Sequence, residues 1–256
     1  MMLDKLLGLF QMPHDASVHG WRIDSLIQIT NTFILIMFGV VVAWIAISML
    51  FHGRKHKAEY DTGDGRKQMI KAACLSVLIF GVVDGNLFAS GMADLNDVFW
   101  DFDRAEASPN VVRVQVNAHQ WAWDFRQAGA DGAFNTADDI VSLNELRVPV
   151  GAPVVFQIGA TDVLHSLSFP NMRVKQDAVP GTITRLWFQA KETGAFDIAC
   201  AQHCGTHHYK MRGKLFVMPM AEYRDWATEA SKLGQRGNDP EDHGAMWGWN
   251  WEKARP

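Results

Sequence analysis

The sequence predicts a membrane-anchored all-β protein, in which a two-helix transmembrane hairpin precedes a β-sandwich or barrel. Three observations carry that class: an uncharged apolar run around residue 40, a second apolar stretch beyond a basic loop, and then a series of short alternating runs punctuated by Gly, Pro, Asn and Asp.

The chain has 256 residues, 48% of them hydrophobic, and a net charge of −4. That balance excludes a highly basic nucleic-acid binder. Residues 1–24 contain only Lys5 and Arg22 as basic groups, as expected of an external amino-terminal segment. The run LLGLF is too short for the apolar core of a signal peptide and no clear small-residue cleavage site follows it, so the hairpin at 25–93 is expected to be a permanent anchor. Phe33 to Phe51 is free of charge and, with the mildly polar QITNT before it, long enough as helix to cross about 30 Å of hydrocarbon. The second stretch, Met69 to Ala93, is interrupted by Asp84 and Asn86. Between the two, Arg54, Lys55, Lys57, Arg66, Lys67 and Lys71 gather on one side of the membrane. Because basic residues favour the cytoplasmic face, the loop is expected there and both chain ends outside.

Residues 94–110 read as an Asp-containing connector, and 111–220 as the β-domain. Candidate strands are VVRVQVN, HQWAWDF, LNELRVP, PVVFQIG, LHSLSF, TITRLWFQ, AFDIAC and KLFVM. GADGAFNTADDI, Gly129 to Ile140, lacks the spacing of a calcium loop and reads as a polar hairpin tip. In the last segment, 221–256, AEYRDWATEASKLG is a surface helix and the remainder a Trp-rich tail without clear period.

Chemistry concentrates in CAQHCGTHHYKM, where Cys200, Cys204, His208 and Met211 follow the spacing Cys-x3-Cys-x3-His-x2-Met. Thiolate, imidazole and thioether together select copper over hard cations. A thioether has no use in a closed zinc tetrahedron. A mononuclear blue-copper site needs two His, one Cys and an axial Met, and His165 in DVLHSLSF fits the second imidazole. The surplus cysteine points further, because two thiolates in one loop can bridge a pair of copper ions. Such a pair, its charge spread over two sulfurs, suits rapid electron transfer better than bond-making. With only three cysteines, Cys74 among them in the second span, no disulfide framework is implied.

Taken together, PHDASVHGWRIDSL, the hairpin, HQWAWDF, DVLHSLSFP, VKQDAVPG and the cysteine loop resemble subunit II of the haem–copper cytochrome c oxidases over nearly the whole chain. The resemblance implies a cupredoxin-like Greek-key β-sandwich or barrel holding a binuclear copper A centre. Cys200 and Cys204 would bridge two copper ions, His165 and His208 would each terminate one, and Met211 and the Gln202 carbonyl would be the weak ligands. His203 and His207 are left without a copper role. Gln202 stands where many relatives have Glu, which weakens the case for a magnesium ion. Trp121 would receive the electron from cytochrome c, with Trp123 close behind, and Asp177 would lie near the docking surface.

The implied function is that of an oxidase subunit which accepts electrons from cytochrome c and passes them to haem in a separate catalytic subunit that reduces oxygen to water and moves protons. The alternative is a membrane-anchored copper electron carrier outside an oxidase. Intact copper residues speak against a quinol-oxidase subunit, and the length against a nitrous oxide reductase. The expected setting is a bacterial inner membrane with two spans and the copper domain outside. The Glu-x-x-Trp pattern that opens the second span in many relatives is missing; Glu59 is a loose candidate for its role, and Asp84 an ionisable residue at membrane depth.

Overall fold

A computed structural model describes residues 12–53, 56–57 and 60–237, without the side chains of 234–237. Arg54, Lys55, Glu59 and the Trp-rich tail from 238 lie outside the described residues. Two compact units emerge, residues 22–100 and a second built from the amino-terminal residues and everything from Asp101 onward.

The first unit is helical. Helix α1 (Gly20–Phe51) and the helical stretch from Arg66 are each long and apolar enough to cross a bilayer. The second stretch is not uniform: α2 (Arg66–Ser76) gives way to π-helix at Val77–Asp84, then α3 (Gly85–Asp94), then π-helix again at Leu95–Phe99. An ion pair between Arg22 of α1 and Asp94 of α3 joins the two helical stretches at the ends away from their connecting loop.

Beyond the short helix α4 (Phe102–Glu106), the second unit consists, among the described residues, of ten strands, two short 3₁₀ turns and helix α5 (Met220–Gly237). The strands are β1 (Val112–His119), β2 (Ala122–Gln127), β3 (Ile140–Leu143), β4 (Glu145–Pro149), β5 (Pro153–Ala160), β6 (His165–Phe169), β7 (Val174–Ala178), β8 (Thr184–Gln189), β9 (Gly194–Cys200) and β10 (Arg212–Met218). They form two five-stranded sheets, ordered β3-β2-β1-β5-β8 and β4-β10-β9-β6-β7. β1 runs parallel to β5, and β4 to β10; the other pairings are antiparallel. Val114, Val116, Phe125 and Ile158 from one sheet and Leu146, Leu167, Ile198 and Leu215 from the other are fully buried. Across the layers, the rings of Phe156 and Phe188 meet Phe169 at 5.3 and 5.0 Å. A sandwich core built this way derives its stability chiefly from apolar area removed from water.

LNELRVP, expected as one strand, is divided. Asn144 takes a left-handed conformation, φ 57°, and the chain passes there from β3 in one sheet to β4 in the other. Its side-chain oxygen accepts from the Trp123 amide at 2.8 Å and its carbonyl from the Lys214 amide at 2.9 Å, which ties the switch point to both sheets. β7 was not among the expected strands either. The 129–140 segment connects antiparallel β2 to β3, with Arg126 bonded to Asn135 and 3.7 Å from the Asp139 carboxylate.

The amino-terminal residues belong to the β unit. Ala16 is fully buried, and its amide donates to the Asn171 carbonyl at 2.8 Å while the Lys191 amide donates back to its own carbonyl at 2.8 Å. Asp15 pairs with Lys191 at 2.8 Å, and His14 with Glu192 at 2.6 Å.

Candidate metal centre

Strand pairing builds the site. β6 lies beside β9 with Leu167 opposite Cys200, so His165 at the start of β6 falls next to Cys200 at the end of β9. The Cys200 amide bonds the Met211 carbonyl at 3.1 Å, which closes the neck of the 200–211 loop. Within the loop, a short 3₁₀ turn at His208–Lys210 brings His208 back toward the cysteines.

Five side chains converge as a result. The Cys200 and Cys204 sulfurs are 3.7 Å apart, and Cys204 Sγ lies 3.5 Å from His208 Nδ1 and 3.7 Å from Met211 Sδ. His165 Nδ1 approaches Met211 Sδ at 3.2 Å. The donor atoms of His165, Cys200 and Cys204 all fall within 4.8 Å of one another. Cys200 Sγ is also 3.2 Å from the Gln202 carbonyl. His165, Cys204 and Met211 are buried, Cys200 and His208 half-buried.

Asp162 orients the first imidazole. Its carboxylate lies 2.8 Å from His165 Nε2 and also accepts the amides of Gln120 and Val163, each at 2.6 Å. Burial opposes ionisation of Asp162, but the bonds from His165, Val163 and Gln120 outweigh it and hold the carboxyl below its usual range. An Nε2–H bonded to that carboxylate leaves the Nδ1 lone pair facing the sulfurs. The thiols respond to each other. Burial alone would raise Cys200, yet hydrogen bonds from His165, the Ser166 and Gln202 backbone and His208 bring it down to about 6. Cys204 is pushed up to about 12 by burial and by the neighbouring Cys200 sulfur. Without a metal, then, the pair parts readily with one proton and holds the other.

These donors suit a soft metal. Thiolate, thioether, imidazole and a backbone carbonyl are gathered, whereas the nearest carboxylate is engaged with His165. That set matches copper and offers a hard cation little beyond the one carbonyl.

The β1–β2 turn supplies a wall. Gln120 Nε2 and Trp121 Nε1 both donate to the Cys204 carbonyl, at 2.8 and 3.2 Å. Trp121 is half-exposed and meets His207 edge-on at 4.5 Å. The neighbouring Trp123 is different, fully buried with no hydrogen-bond partner for its ring nitrogen among the described residues. Gly205 makes the approach of Trp121 possible. At φ +116° it holds a conformation that side chains resist, and a Cβ there would lie 2.8 Å from Gln120 Nε2 and 3.3 Å from Trp121 Nε1. His203 is exposed, its ring 5.5 Å from that of His208. Asp177 is exposed on β7 opposite Ser166, the residue after His165.

Sequence reasoning thus named the five converging side chains and Trp121, but not Asp162, Gln120 or Gly205. The only local signal for Asp162 was its place three residues before His165.

Residues 112–215 match the family described as cytochrome c oxidase subunit II, periplasmic domain. The alternative cytochrome c oxidase subunit 2 of Bradyrhizobium diazoefficiens is 34% identical over 47% of this chain and 51% of its own length. Cytochrome c oxidase subunit 2 of Alkalihalophilus pseudofirmus is 36% identical over 49% of this chain and 34% of its own. That of Cereibacter sphaeroides is 25% identical over 77% of this chain and 74% of its own. Among solved structures, the periplasmic domain of subunit II of cytochrome oxidase from Bradyrhizobium japonicum has 26% identity and a TM-score of 0.43, covering 48% of this chain and 94% of that one. The chain spans about half or less of the first two of these curated relatives.

Proposed function

We propose that this chain, whose residues 112–215 match the family of cytochrome c oxidase subunit II periplasmic domains, is the electron-accepting subunit of a haem–copper oxidase. In this reading it takes electrons singly from cytochrome c and delivers them to haem in a partner subunit, where oxygen is reduced to water and protons are moved across the membrane. The β-domain faces the outer side of a bacterial inner membrane, anchored by two spans, with the inter-helix loop in the cytoplasm.

The carrying observation is the pair of cysteine sulfurs 3.7 Å apart with two imidazoles and a thioether around them. One thiolate is sufficient for a single copper, whereas two so close can bridge two ions. Cys200 and Cys204 would be the bridges, His165 and His208 the terminal ligands, and Met211 and the Gln202 carbonyl the weak ones. When bound, the copper pair supplies a store for one electron at a time.

The rest falls to the chain's own residues. Asp162 holds His165 with Nδ1 toward the sulfurs, so little movement accompanies a change of charge. The sandwich buries Cys204 and Met211 against water. Trp121 is the electron entry, partly exposed and hydrogen-bonded to the carbonyl of a bridging cysteine. Asp177 sits at the docking surface, where an exposed carboxylate steers a basic donor.

Electron paramagnetic resonance of the full-length, copper-loaded chain tests the reading. A seven-line hyperfine pattern is expected, from one electron shared equally by two copper nuclei. Four lines, or one copper per polypeptide by metal analysis, would overturn it.

A further inference from the structure

Two N–H groups converge on one oxygen at the edge of the cysteine loop. The Cys204 carbonyl accepts from Gln120 Nε2 at 2.8 Å and from Trp121 Nε1 at 3.2 Å, so the glutamine makes the shorter bond. Cys204 is buried, with its sulfur 3.7 Å from Cys200 Sγ and 3.5 Å from His208 Nδ1. The positive ends of both N–H dipoles therefore point at the residue whose sulfur is central to the donor set.

Gln120 is bonded at a second place. Its backbone amide donates to one oxygen of the Asp162 carboxylate at 2.6 Å, and the other oxygen lies 2.8 Å from His165 Nε2. One residue thus holds both the group that orients His165 and the carbonyl of Cys204, although these lie 42 and 84 residues further along the chain. Gln120 as a whole is exposed. Solvation alone would let its amide turn to water, yet the amide is directed inward. Room for it depends on the next residue of the loop, Gly205, where a Cβ would lie 2.8 Å from Gln120 Nε2.

We infer that Gln120 is a positioning residue that raises the affinity of the copper centre for an electron, its side-chain amide polarising the Cys204 carbonyl while its backbone amide fixes Asp162 and, through it, His165. This role rests on the copper-pair reading above. An added electron brings negative charge toward the sulfurs, and an N–H dipole aimed at one of the two cysteines favours the reduced state. Hydrogen bonding around a cysteine ligand tunes the potential of copper sites in the same sense. Trp121 donates to the same oxygen over the longer distance, so the larger part of the effect falls to Gln120.

The test uses the full-length, copper-loaded chain, titrated against a one-electron mediator, with copper content and the paramagnetic resonance spectrum recorded for each variant. Gln120→Leu keeps the backbone amide, and with it the bond to Asp162, but removes the side-chain donor. It is expected to shift the equilibrium toward the oxidised centre by about threefold, at wild-type copper content. Gln120→Glu puts a carboxylate of the same length where the donor was, and should shift the equilibrium further in the same direction. Gln120→Lys supplies a donor again, with a positive charge, and should return the equilibrium to the wild-type position or beyond it. A merely structural role would move all three variants alike. Wild-type equilibria in both Gln120→Leu and Gln120→Glu would overturn the inference, as would a loss of copper common to all three variants, which would make Gln120 a part of the scaffold only. Four hyperfine lines from the wild-type chain would instead overturn the copper-pair reading, and this role with it.

Discussion

Two tryptophans two residues apart lie in opposite environments, and the hydrogen bonds of their ring nitrogens tell them apart. Trp121 donates to the Cys204 carbonyl at 3.2 Å, whereas the Trp123 nitrogen is buried with no partner among the described residues. Trp121→Phe should therefore leave stability and copper content almost unchanged while slowing copper reduction by cytochrome c at least about tenfold in stopped-flow mixing. Trp123→Phe should do the reverse, costing about 1–3 kcal/mol in denaturant unfolding through lost core volume and leaving the reduction rate alone. An unchanged reduction rate in Trp121→Phe would remove its role as electron entry. Gly205 offers a finer probe. In Gly205→Ala a Cβ would meet Gln120 Nε2 at 2.8 Å in a backbone conformation side chains resist. The expected cost is about 1–3 kcal/mol, with a shift in Trp121 fluorescence as its ring leaves the loop. These contacts were invisible to sequence reasoning for a physical reason. Motif spacing reveals donors that share one turn, such as Cys200, Cys204 and His208, but Trp121 and Cys204 are 83 residues apart and meet only through the sandwich.

At the scale of elements, alternation of apolar and polar residues made eight strands legible, and the two it missed lie at sheet edges. β3 and β7 each border a five-stranded sheet. An edge strand has a neighbour on one side only and tolerates a polar sequence such as VKQDA or a four-residue one such as IVSL. The division of LNELRVP at Asn144 was hidden likewise, because its cause is a pair of hydrogen bonds to Trp123 and Lys214 on distant strands. The connection between β2 and β3 contains the strongest single test of an element. Arg126 is 2% exposed and Asp139 3% exposed, and burial lowers the pKa of the guanidinium and raises that of the carboxyl. Asp139→Ala would leave a buried guanidinium without its carboxylate, and a loss of about 3–5 kcal/mol in denaturant unfolding is expected. A loss below about 1 kcal/mol, the range of an exposed pair, would show that the guanidinium reaches water instead.

For the molecule as a whole, the amino-terminal residues constrain topology. Ala16 and Ser17 are buried in the β unit, with backbone hydrogen bonds to Asn171 and Lys191 and a bridge from Ser17 to Ala190. Whatever side of the membrane holds the β-domain must also hold residues 12–19. Two crossings between them satisfy this, whereas one would tear the segment from its partners. In the proposed topology the loop joining the spans lies on the opposite face, where Lys57, Arg66 and Lys67 would meet the rule that basic loops remain cytoplasmic. A cysteine introduced by Tyr60→Cys in a Cys74→Ser background reports on that loop, since Tyr60 is 90% exposed. In intact cells with a permeable outer membrane, a membrane-impermeant maleimide should leave position 60 unlabelled until the inner membrane is opened. A cysteine from Lys175→Cys, on the exposed face of β7, should label at once. Labelling of both positions in intact cells would mean that neither apolar stretch crosses, and the π-helical turns and Asp84 would then have to be explained by helices lying outside the bilayer.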